Sequence, residues 1–329
     1  MVTGVQTCAL PICNTTQALS RIEAILDDSS FVEIGAAVTA RATDFNMQEK
    51  KAPSDGVITG YGVVNGNLVY VYSQDAAVLG GTIGEMHAKK IASLYEKAMK
   101  MGAPVIGLID CAGLRLQEAT DALNGFGEIY KNMSLASGII PQITAVYGEC
   151  GGGLAVLAEL SDFVFVEEKK AKLFVNSPNA LDGNYESKLD TSSAKFMAEA
   201  GVADFVGDEE TIANGVRQLV SMLPSNNTEG TVCTDNQDDL NRVCADMAAE
   251  IADPALALTD ISDDGVFVET KAEYAKEMVT GFILVDGVTV GAVANRTALY
   301  DENGEKAEEF APVLTTAGAY KAAEFVTFC

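Results

Sequence analysis

The spacing of apolar positions after residue 84 is that of a helix with one buried face. Met86, Lys90, Leu94 and Ala98, of which all but the lysine are apolar, recur at every fourth position, and Gly102 follows them. Residues four apart lie on the same side of a helix, and a glycine is a frequent helix stop. The pattern therefore predicts a helix that begins near residue 84 and ends before Gly102.

A continuously apolar run follows this helix. Pro104–Asp110 (PVIGLID) is typical of a strand that is buried on both faces, as in a parallel sheet. The same criteria predict, in order, a helix at about Ala119–Ala136, a buried strand at Gln142–Tyr147, a helix that ends near Leu160, and strands at Phe163–Glu167 and Lys172–Val175. This alternation predicts an α/β fold built from βαβ units with right-handed crossovers.

Two glycine-containing loops should lie side by side at one edge of this sheet. Cys111–Arg115 follows the first buried strand and Gly148–Gly153 follows the second, and parallel sheets bind ligands at the carboxyl ends of their strands. Glycines let backbone N–H groups point into a cavity, and the second loop also opens a helix, whose amino end favours negative charge. Two such loops could hold a developing enolate oxygen. Close packing of the helix on the sheet is the alternative explanation of the glycines.

Other motifs that carry chemistry are weak or missing from the sequence. Gly80–Gly84 precedes a helix and either approaches a ligand or only turns the chain. Neither a GxSxG elbow nor a GxxxxGK[ST] phosphate loop occurs. His87 is the single histidine, and its position in a predicted helix favours a structural role over that of a base. A metal site is not expected for the same reason.

The chain contains an internal repeat. Asp27–Glu33 (DDSSFVE) returns as Asp263–Glu269 (DDGVFVE), and Thr59–Gly66 (TGYGVVNG) returns as Thr280–Gly287 (TGFILVDG). The Asn-Gly and Asp-Gly pairs are hairpin signals. Each hairpin is followed by a predicted strand, at Leu68–Ser73 in the first copy and at Val288–Val293 in the second. Two matches in the same order predict a duplicated domain.

The repeat divides the chain into residues 14–250 and residues 251–329. The first copy continues far beyond its hairpin, whereas the second ends soon after it, at Cys329. We therefore expect the second domain to be incomplete. Residues 1–13 (MVTGVQTCALPIC) resemble the translation of a sequencing-library adapter and are interpreted as an artefactual leader.

Composition narrows the function classes. The formal net charge of −25 would repel a phosphate backbone, so nucleic-acid binding is not expected. No apolar run reaches the roughly 18 residues of a membrane span, so direct membrane insertion is not expected either. The seven cysteines are odd in number and contain no CxxC pair, which favours reduced thiols and a cytoplasmic protein.

Many segments together resemble one family, the carboxyltransferase (beta) subunits of biotin-dependent acyl-CoA carboxylases, and equally the carboxyltransferase subunit of methylmalonyl-CoA decarboxylase. The similarity extends over nearly all of residues 20–329. It is carried by Asp27–Glu33, Gly56–Asp75 (GVITGYGVVNGNLVYVYSQD), Gly80-Gly81, His87-Ala88-x-Lys90-Ile91, Met101–Gly107, Arg115-x-Gln117-Glu118, Ala136–Ile143 and Leu160–Phe163.

The resemblance implies a crotonase-like (ClpP/crotonase) ββα superhelix, duplicated, with the second copy truncated here. It also implies a carboxyl transfer between carboxybiotin and a short-chain acyl-CoA, in either direction. Backbone amides hold the enolate oxygen, and no side-chain base is needed. By motif, the catalytic positions would be Gly113, Leu114, Gly152 and Gly153, and the substrate-binding positions Gly80, Gly81, Ala112, Arg115 and Gly151.

The same resemblance implies partners. Biotin would arrive on a biotin carboxyl carrier protein or a biotinylated subunit. The full-length protein would form a homo-oligomer, a hexamer built as a trimer of dimers, with the active site between two subunits. A chain that lacks most of its second domain is then expected to have no carboxyltransferase turnover alone.

The sequence also departs from the family pattern. Cys111-Ala112-Gly113-Leu114-Arg115 stands where Ser-Gly-Gly-Ala-Arg is usual, Thr191–Phe196 replaces a stretch rich in Gly and His, and Asp204 replaces a further His. Two alternatives therefore stay open. One is a biotin-independent crotonase-type hydratase or thioesterase that uses Glu118 or Glu149, and the other is a non-catalytic paralogue of a carboxyltransferase.

Overall fold

The computed structural model describes residues 16–41, 52–177, 189–230, 247–301 and 304–329, with some positions in between (49, 180, 232–233, 236, 238–239 and 241–245). The segment 1–13, interpreted above as a leader, lies outside the described residues. The strands are β1 (Val32–Ile34), β2 (Val57–Val64), β3 (Asn67–Gln74), β4 (Val105–Cys111), β5 (Gln142–Gly151), β6 (Phe163–Glu167), β7 (Lys172–Phe174), β8 (Phe205–Gly207), β9 (Phe267–Thr270), β10 (Met278–Val285), β11 (Val288–Asn295), β12 (Ala298–Tyr300) and β13 (Lys306–Glu309).

The helices alternate with these strands. They are α1 (Gln17–Ile25), α2 (Glu85–Met101), α3 (Ala119–Ala136), α4 (Gly153–Glu159), α5 (Ala194–Glu199), α6 (Glu209–Met222), α7 (Met247–Glu250), α8 (Pro254–Ile261) and α9 (Thr316–Phe328). The predicted amphipathic helix is α2, which ends where Gly102 adopts the left-handed conformation (φ 64°). The predicted second helix is α3, with the same bounds as expected.

The main sheet has the spatial order β1-β2-β3-β4-β5-β6-β8, and β7 pairs with the end of β5. β1, β2 and β3 form an antiparallel meander. From β3 onwards the neighbours β4, β5, β6 and β8 run parallel. The parallel βαβ arrangement predicted from the apolar runs is therefore confirmed.

Buried apolar residues line both faces of this sheet. Val105 and Ile109 belong to one core with α2 and α3, whereas Ile106 and Leu108 belong to another with α1 and α6. This follows from the alternation of side chains along a strand. It also explains why the run Pro104–Asp110 contains no alternating polar positions.

One loop prediction is wrong. Gly148–Gly151 lie in β5 and not in a loop, because β5 continues beyond its pairing with β6 and then pairs with β7, with Glu149 opposite Lys172 and Gly151 opposite Phe174. Only Gly152 separates the strand from α4. The glycines there are thus strand residues whose conformation is fixed by tertiary pairing.

The two repeated segments adopt the same local arrangement. Glu33 of β1 lies opposite Gly60 of β2, and Glu269 of β9 lies opposite Gly281 of β10. A Cβ atom on either glycine would come within 3.0 Å of a carbonyl oxygen of the neighbouring strand and of a phenylalanine ring. In addition, an aspartate at the start of each segment accepts a hydrogen bond from the glycine of its hairpin: Asp27 from the Gly66 N–H at 3.1 Å and Asp263 from the Gly287 N–H at 2.6 Å.

The second hairpin packs against the first sheet through aromatic rings. Phe163, at the start of β6, lies 6.0 Å from Phe282 of β10 and 4.7 Å from Phe328 of α9, measured between ring centroids. Phe282 and Phe325 belong to the same buried cluster as residues of α1 and α6. The hairpin is therefore part of the same packed body as the main sheet.

Candidate functional site

The loop after β3 and the loop after β4 are joined by backbone hydrogen bonds. The Ile83 N–H donates to the Gly113 carbonyl and the Arg115 N–H donates to the Ile83 carbonyl, each at 2.9 Å. The Ala112 N–H donates to the Gly80 carbonyl, also at 2.9 Å. The predicted binding residues 80, 81 and 112–115 therefore lie together.

Gly80 and Gly81 have different environments within these loops. Gly81 is buried, and a Cβ atom there would come within 3.0 Å of the Asp110 carbonyl oxygen, so the position admits no side chain. Gly80 is half-buried and would meet only the Cβ atom of Ala112, at 3.5 Å. Ala112 itself is exposed.

The end of β5 adjoins the same edge. Cys111 of β4 and Cys150 of β5 are direct partners in the parallel ladder. Both thiols are buried, and desolvation raises the pKa of Cys111 to about 12 and that of Cys150 still further. At neutral pH these groups are protonated, so neither is a reactive thiolate.

Four backbone amides were predicted as oxyanion donors, and two of them have partners in the protein. The Gly113 N–H donates to the Cys111 sulfur at 3.3 Å, and the Gly152 N–H donates to the Phe174 carbonyl at 2.9 Å. Within the described residues, the N–H groups of Leu114 and Gly153 donate no hydrogen bond. The arrangement thus separates the four candidates into two occupied and two open donors.

The direction of the Leu114 N–H follows from its neighbours. The Gly113 carbonyl and the Arg115 N–H both face Ile83. Adjacent residues of an extended segment direct their backbone groups to opposite sides. The Leu114 N–H therefore faces away from Ile83, towards the side on which β5 neighbours β4.

Gly153 begins α4 beside two aromatic rings. The Tyr130 hydroxyl donates to the Gly153 carbonyl at 2.7 Å, and the Tyr130 and Phe126 ring centroids are 5.9 Å apart. Gly151 lies against the Phe174 ring, where a Cβ atom would come within 3.0 Å. The absence of a side chain at Gly151 is thus required by packing, whatever else the residue contacts.

Arg115 was predicted to bind substrate, but its side chain is 1% exposed. Its guanidinium pairs with Asp55 at 2.5 Å and Glu118 at 2.9 Å, and donates to the Thr82 carbonyl at 2.6 Å. This side chain is directed into the protein, and a ligand at the loop edge would not contact it. The motif predicted the place of Arg115 in the loop, but it did not predict that the guanidinium would be buried.

His87 is fully buried in α2 and has partners on both ring nitrogens. Nδ1 lies 3.0 Å from the Asp55 carbonyl oxygen, and Nε2 lies 3.1 Å from the Gln74 side-chain nitrogen. The Gln74 amide is a donor, so Nε2 accepts and Nδ1 carries the proton. Desolvation lowers the pKa of His87 to about 3, with a contribution from Arg115. The structural role predicted for this histidine is confirmed.

The two carboxylates considered for hydratase chemistry differ in availability. Glu118 is 3% exposed and accepts hydrogen bonds from Arg115 and, at 2.6 Å, from the Glu85 N–H at the start of α2. Glu149 is exposed on β5. Of these two carboxylates, Glu149 is therefore the one that is accessible to a ligand.

The substituted positions 191–196 and 204 have structural roles. The Ser193 hydroxyl caps α5 by accepting from the Phe196 N–H at 3.3 Å. Asp204 is 8% exposed and accepts from the Val164 N–H at 2.8 Å. Burial raises the pKa of Asp204 to about 7, partly opposed by Lys271.

Sequence reasoning missed Asp55 as part of this region. It is completely buried and pairs with a guanidinium 60 positions later in the chain. An isolated Asp-Gly pair before a strand reads as a turn, so nothing local marks the residue. Among the described residues, no group of His, Cys, Asp and Glu is arranged to hold a metal ion, and no helix is long and apolar enough to cross a bilayer.

Comparison with known proteins places this arrangement in a family. The family model described as "Carboxyl transferase domain" matches residues 14–329. The propionyl-CoA carboxylase beta chain of Roseobacter denitrificans is 38% identical over 325 residues, which are 95% of this chain and 62% of that protein. The methylmalonyl-CoA decarboxylase subunit alpha of Propionigenium modestum is 37% identical over 310 residues, which are 89% of this chain and 60% of that protein.

Solved structures agree with the sequence relatives. A crystal structure of transcarboxylase 12S, with hydrolysed methylmalonyl-CoA bound, superimposes with a TM-score of 0.84 at 32% identity, covering 95% of this chain and 61% of that chain. The mixed α/β fold is thus that of the 12S enzyme. The chain spans about three fifths of the length of the curated relatives it matches. On these grounds the chain belongs to the carboxyltransferase family.

Proposed function

We propose that this chain is the acyl-CoA-binding part of a biotin-dependent carboxyltransferase that acts on a short-chain acyl-CoA. The observation that carries the proposal is the pair of open backbone donors, Leu114 N–H and Gly153 N–H, at adjoining strand ends. An enolate oxygen between them would receive two hydrogen bonds from groups that are already fixed by the fold. Such preorganised donors stabilise charge that develops in the transition state.

The surrounding side chains are consistent with a reaction that uses no side-chain base. His87 is neutral and enclosed, Glu118 is paired, and Cys111 and Cys150 are protonated. In this proposal the chain binds the thioester and holds its enolate. Carboxybiotin, brought by a carrier protein, would release CO2 for the carboxylation, and the ureido nitrogen freed by that release would accept the α-proton.

The substrate class rests on the relatives. Their names specify propionyl-CoA and methylmalonyl-CoA, and a Mycobacterium tuberculosis relative, 36% identical over 331 residues, is named a biotin-dependent acetyl-/propionyl-coenzyme A carboxylase subunit. Phe126 and Tyr130 lie against Gly153, and these rings, together with the Leu114 side chain, would suit a short acyl group. Gly80, Gly81, Ala112 and Gly151 would form the walls of the CoA site.

We further propose that the two hairpins are copies of one unit, so that residues 14–250 form the first domain and 251–329 begin the second. The shared strand register, the shared glycine against the neighbouring strand and the shared Asp–Gly contact support this assignment. Partners are proposed likewise. The 12S relative is described as a hexamer, and a biotin carboxyl carrier protein would be the second partner.

A donor-deletion pair tests the proposed oxyanion role. Gly153 is the first residue of α4, a position that accepts proline. Gly153→Pro removes the N–H, whereas Gly153→Ala keeps it and adds the same Cβ atom. The probe is a CoA analogue that carries a nitronate in place of the enolate, titrated into the full chain by calorimetry, with free CoA as reference.

We expect Gly153→Pro to weaken nitronate binding about 10- to 100-fold relative to Gly153→Ala, because a hydrogen bond to a charged group is worth roughly 1.5–3 kcal/mol. Binding of free CoA should be the same in both variants. Equal nitronate affinity in the two variants would remove Gly153 from the oxyanion site.

The hydratase alternative now depends on Glu149 alone. Loss of activity towards an enoyl-CoA in Glu149→Gln would support that alternative, and an unchanged rate would eliminate it. The non-catalytic alternative is favoured by one observation, the capture of the Gly113 N–H by the Cys111 sulfur. Preferential binding of the nitronate analogue by the unmodified chain would contradict it.

A further inference from the structure

We propose that Arg115, together with Asp55 and Glu118, is a positioning group that aims the Leu114 N–H at the enolate oxygen. The proposal rests on the function proposed above and assigns a task to a buried charge that the sequence motif associates with ligand binding. It concerns orientation only, since the guanidinium is 1% exposed. Its atoms do not reach the loop edge where a ligand would bind.

The guanidinium joins segments that are far apart in the chain. It contacts Asp55 just before β2, Thr82 in the loop after β3 and Glu118 just before α3. Glu118 in turn accepts from the Glu85 N–H, which begins α2. One side chain thus ties the loop of Leu114 to the starts of a strand and of two helices.

The carboxylates have further partners that hold them in place. Asp55 Oδ1 accepts from Arg115, while Oδ2 accepts from the His87 N–H at 2.7 Å. His87 continues the chain of contacts to Gln74, whose side-chain oxygen lies 3.3 Å from the Asp110 nitrogen at the end of β4. The loop that carries Leu114 is therefore fixed at both ends by one buried polar network.

The packing leaves the guanidinium little freedom. A Cβ atom on Gly84 would come within 3.0 Å of Arg115 Nη1 and of Glu118 Oε1. A planar, forked group satisfies two carboxylates and a carbonyl at once, which the single ammonium of a lysine does not do. Replacement by lysine keeps the charge and removes this geometry.

Arg115 is connected to the proposed oxyanion donor through the backbone. Arg115 follows Leu114, and the Arg115 N–H and Gly113 carbonyl hold Ile83 on one side. If the guanidinium loses its contacts with Asp55 and Glu118, the backbone at residue 115 can shift. The Gly113–Leu114 peptide group, which carries the Leu114 N–H, is then expected to change its orientation as well. The expected consequence is a loss of enolate recognition that is larger than the loss of CoA recognition.

A matched control distinguishes this role from simple stabilisation of the fold. Arg296 is 3% exposed and pairs with two carboxylates, Asp253 at 2.6 Å and Glu269 at 3.2 Å, away from the loops of residues 80–84 and 111–115. Arg296→Lys therefore disturbs a buried ion pair of the same kind. Glu118→Gln is a milder second change at the site, because it keeps the shape of the side chain.

The experiment measures the ratio of nitronate-analogue affinity to free-CoA affinity in the full chain, together with the melting temperature. We expect Arg115→Lys to lower this ratio at least 10-fold, Glu118→Gln to lower it about 3- to 10-fold, and Arg296→Lys to leave it unchanged even where its melting temperature falls. If Arg115→Lys does not fold, Glu118→Gln decides.

Two results would count against the account and are distinguishable. An unchanged ratio in the site variants, with an unmodified chain that prefers the nitronate, would overturn the positioning role alone. An unmodified chain that binds the nitronate no better than CoA would overturn the proposed function and the positioning role with it.

Discussion

At this site a sequence motif predicts where a residue lies in the chain fold, but it does not predict where its side chain or its N–H group points. Arg115 lies in the predicted loop, but its charge is buried because Asp55, 60 positions earlier, pairs with it. Gly113 and Gly152 lie where amide donors were predicted, but each N–H has a partner inside the protein. Asp55 and Phe174 are brought to these groups by the fold, so no short sequence window contains them, whereas Cys111 lies in the same loop as Gly113.

Gly81 gives a residue-scale prediction about stability. Gly81→Ala places a Cβ atom against the Asp110 carbonyl oxygen at φ 64°. Gly138 has a similar φ of 72° with open space around it, so Gly138→Ala measures the backbone strain alone. We expect Gly138→Ala to cost about 1 kcal/mol in the free energy of unfolding and Gly81→Ala roughly 2 kcal/mol more, as measured by urea denaturation. Equal losses would mean that the loop shifts away from the added carbon without cost.

Elements were predicted well where their own pattern determines them. α2 and α3 follow from the spacing of their apolar residues, and β4 follows from a run that is buried on both faces. The end of β5 was not predictable, because Glu149–Gly151 are strand residues through pairing with β7 and, at Cys150, with Cys111 of β4. Because β5 extends to Gly151, the connection to α4 consists of Gly152 alone. The Gly152 N–H is bonded to Phe174, so the amide without a partner is that of Gly153.

Asp204 leads to a pH prediction at the scale of two strands. Its N–H donates to the Val164 carbonyl and its carboxylate accepts from the Val164 N–H, each at 2.8 Å, which holds β8 beside β6. Burial raises the pKa of Asp204 in the folded chain to about 7, from an ordinary value of 3.8. Folded chains therefore bind the proton more tightly, so the contribution of Asp204 to stability is largest below pH 4 and falls as pH rises through 7.

The measurement is the free energy of unfolding of the unmodified chain minus that of Asp204→Asn, from pH 5 to pH 8. The asparagine keeps an acceptor for the Val164 N–H but does not titrate. We expect the difference to fall across this range, by an amount on the order of a few kcal/mol at most. A difference that is flat or rises with pH would show that Asp204 is already ionised in the folded chain at pH 5.

At the scale of the whole molecule, the family, the parallel sheet and the second hairpin were indicated by the sequence, whereas the packing of that hairpin against the main sheet was not. The repeated segments were visible in the sequence, and in the structure the two segments have the same strand register and the same aspartate contacts. The sequence did not predict which backbone groups face the proposed site. Their direction depends on contacts between strands and loops that lie as far apart in the chain as residues 55 and 174. In the proposed site, recognition of the enolate depends on two amides, those of Leu114 and Gly153.

Amide NMR of the full chain with the nitronate-bearing CoA analogue tests this claim most directly. We predict that the Leu114 and Gly153 amide protons move downfield on binding, as expected for new hydrogen bonds to an anionic oxygen, while those of Gly113 and Gly152 keep their present partners and move little. Free CoA should leave all four in place. Downfield shifts at Gly113 and Gly152 instead, or none at Leu114 and Gly153 in the saturated complex, would contradict the account.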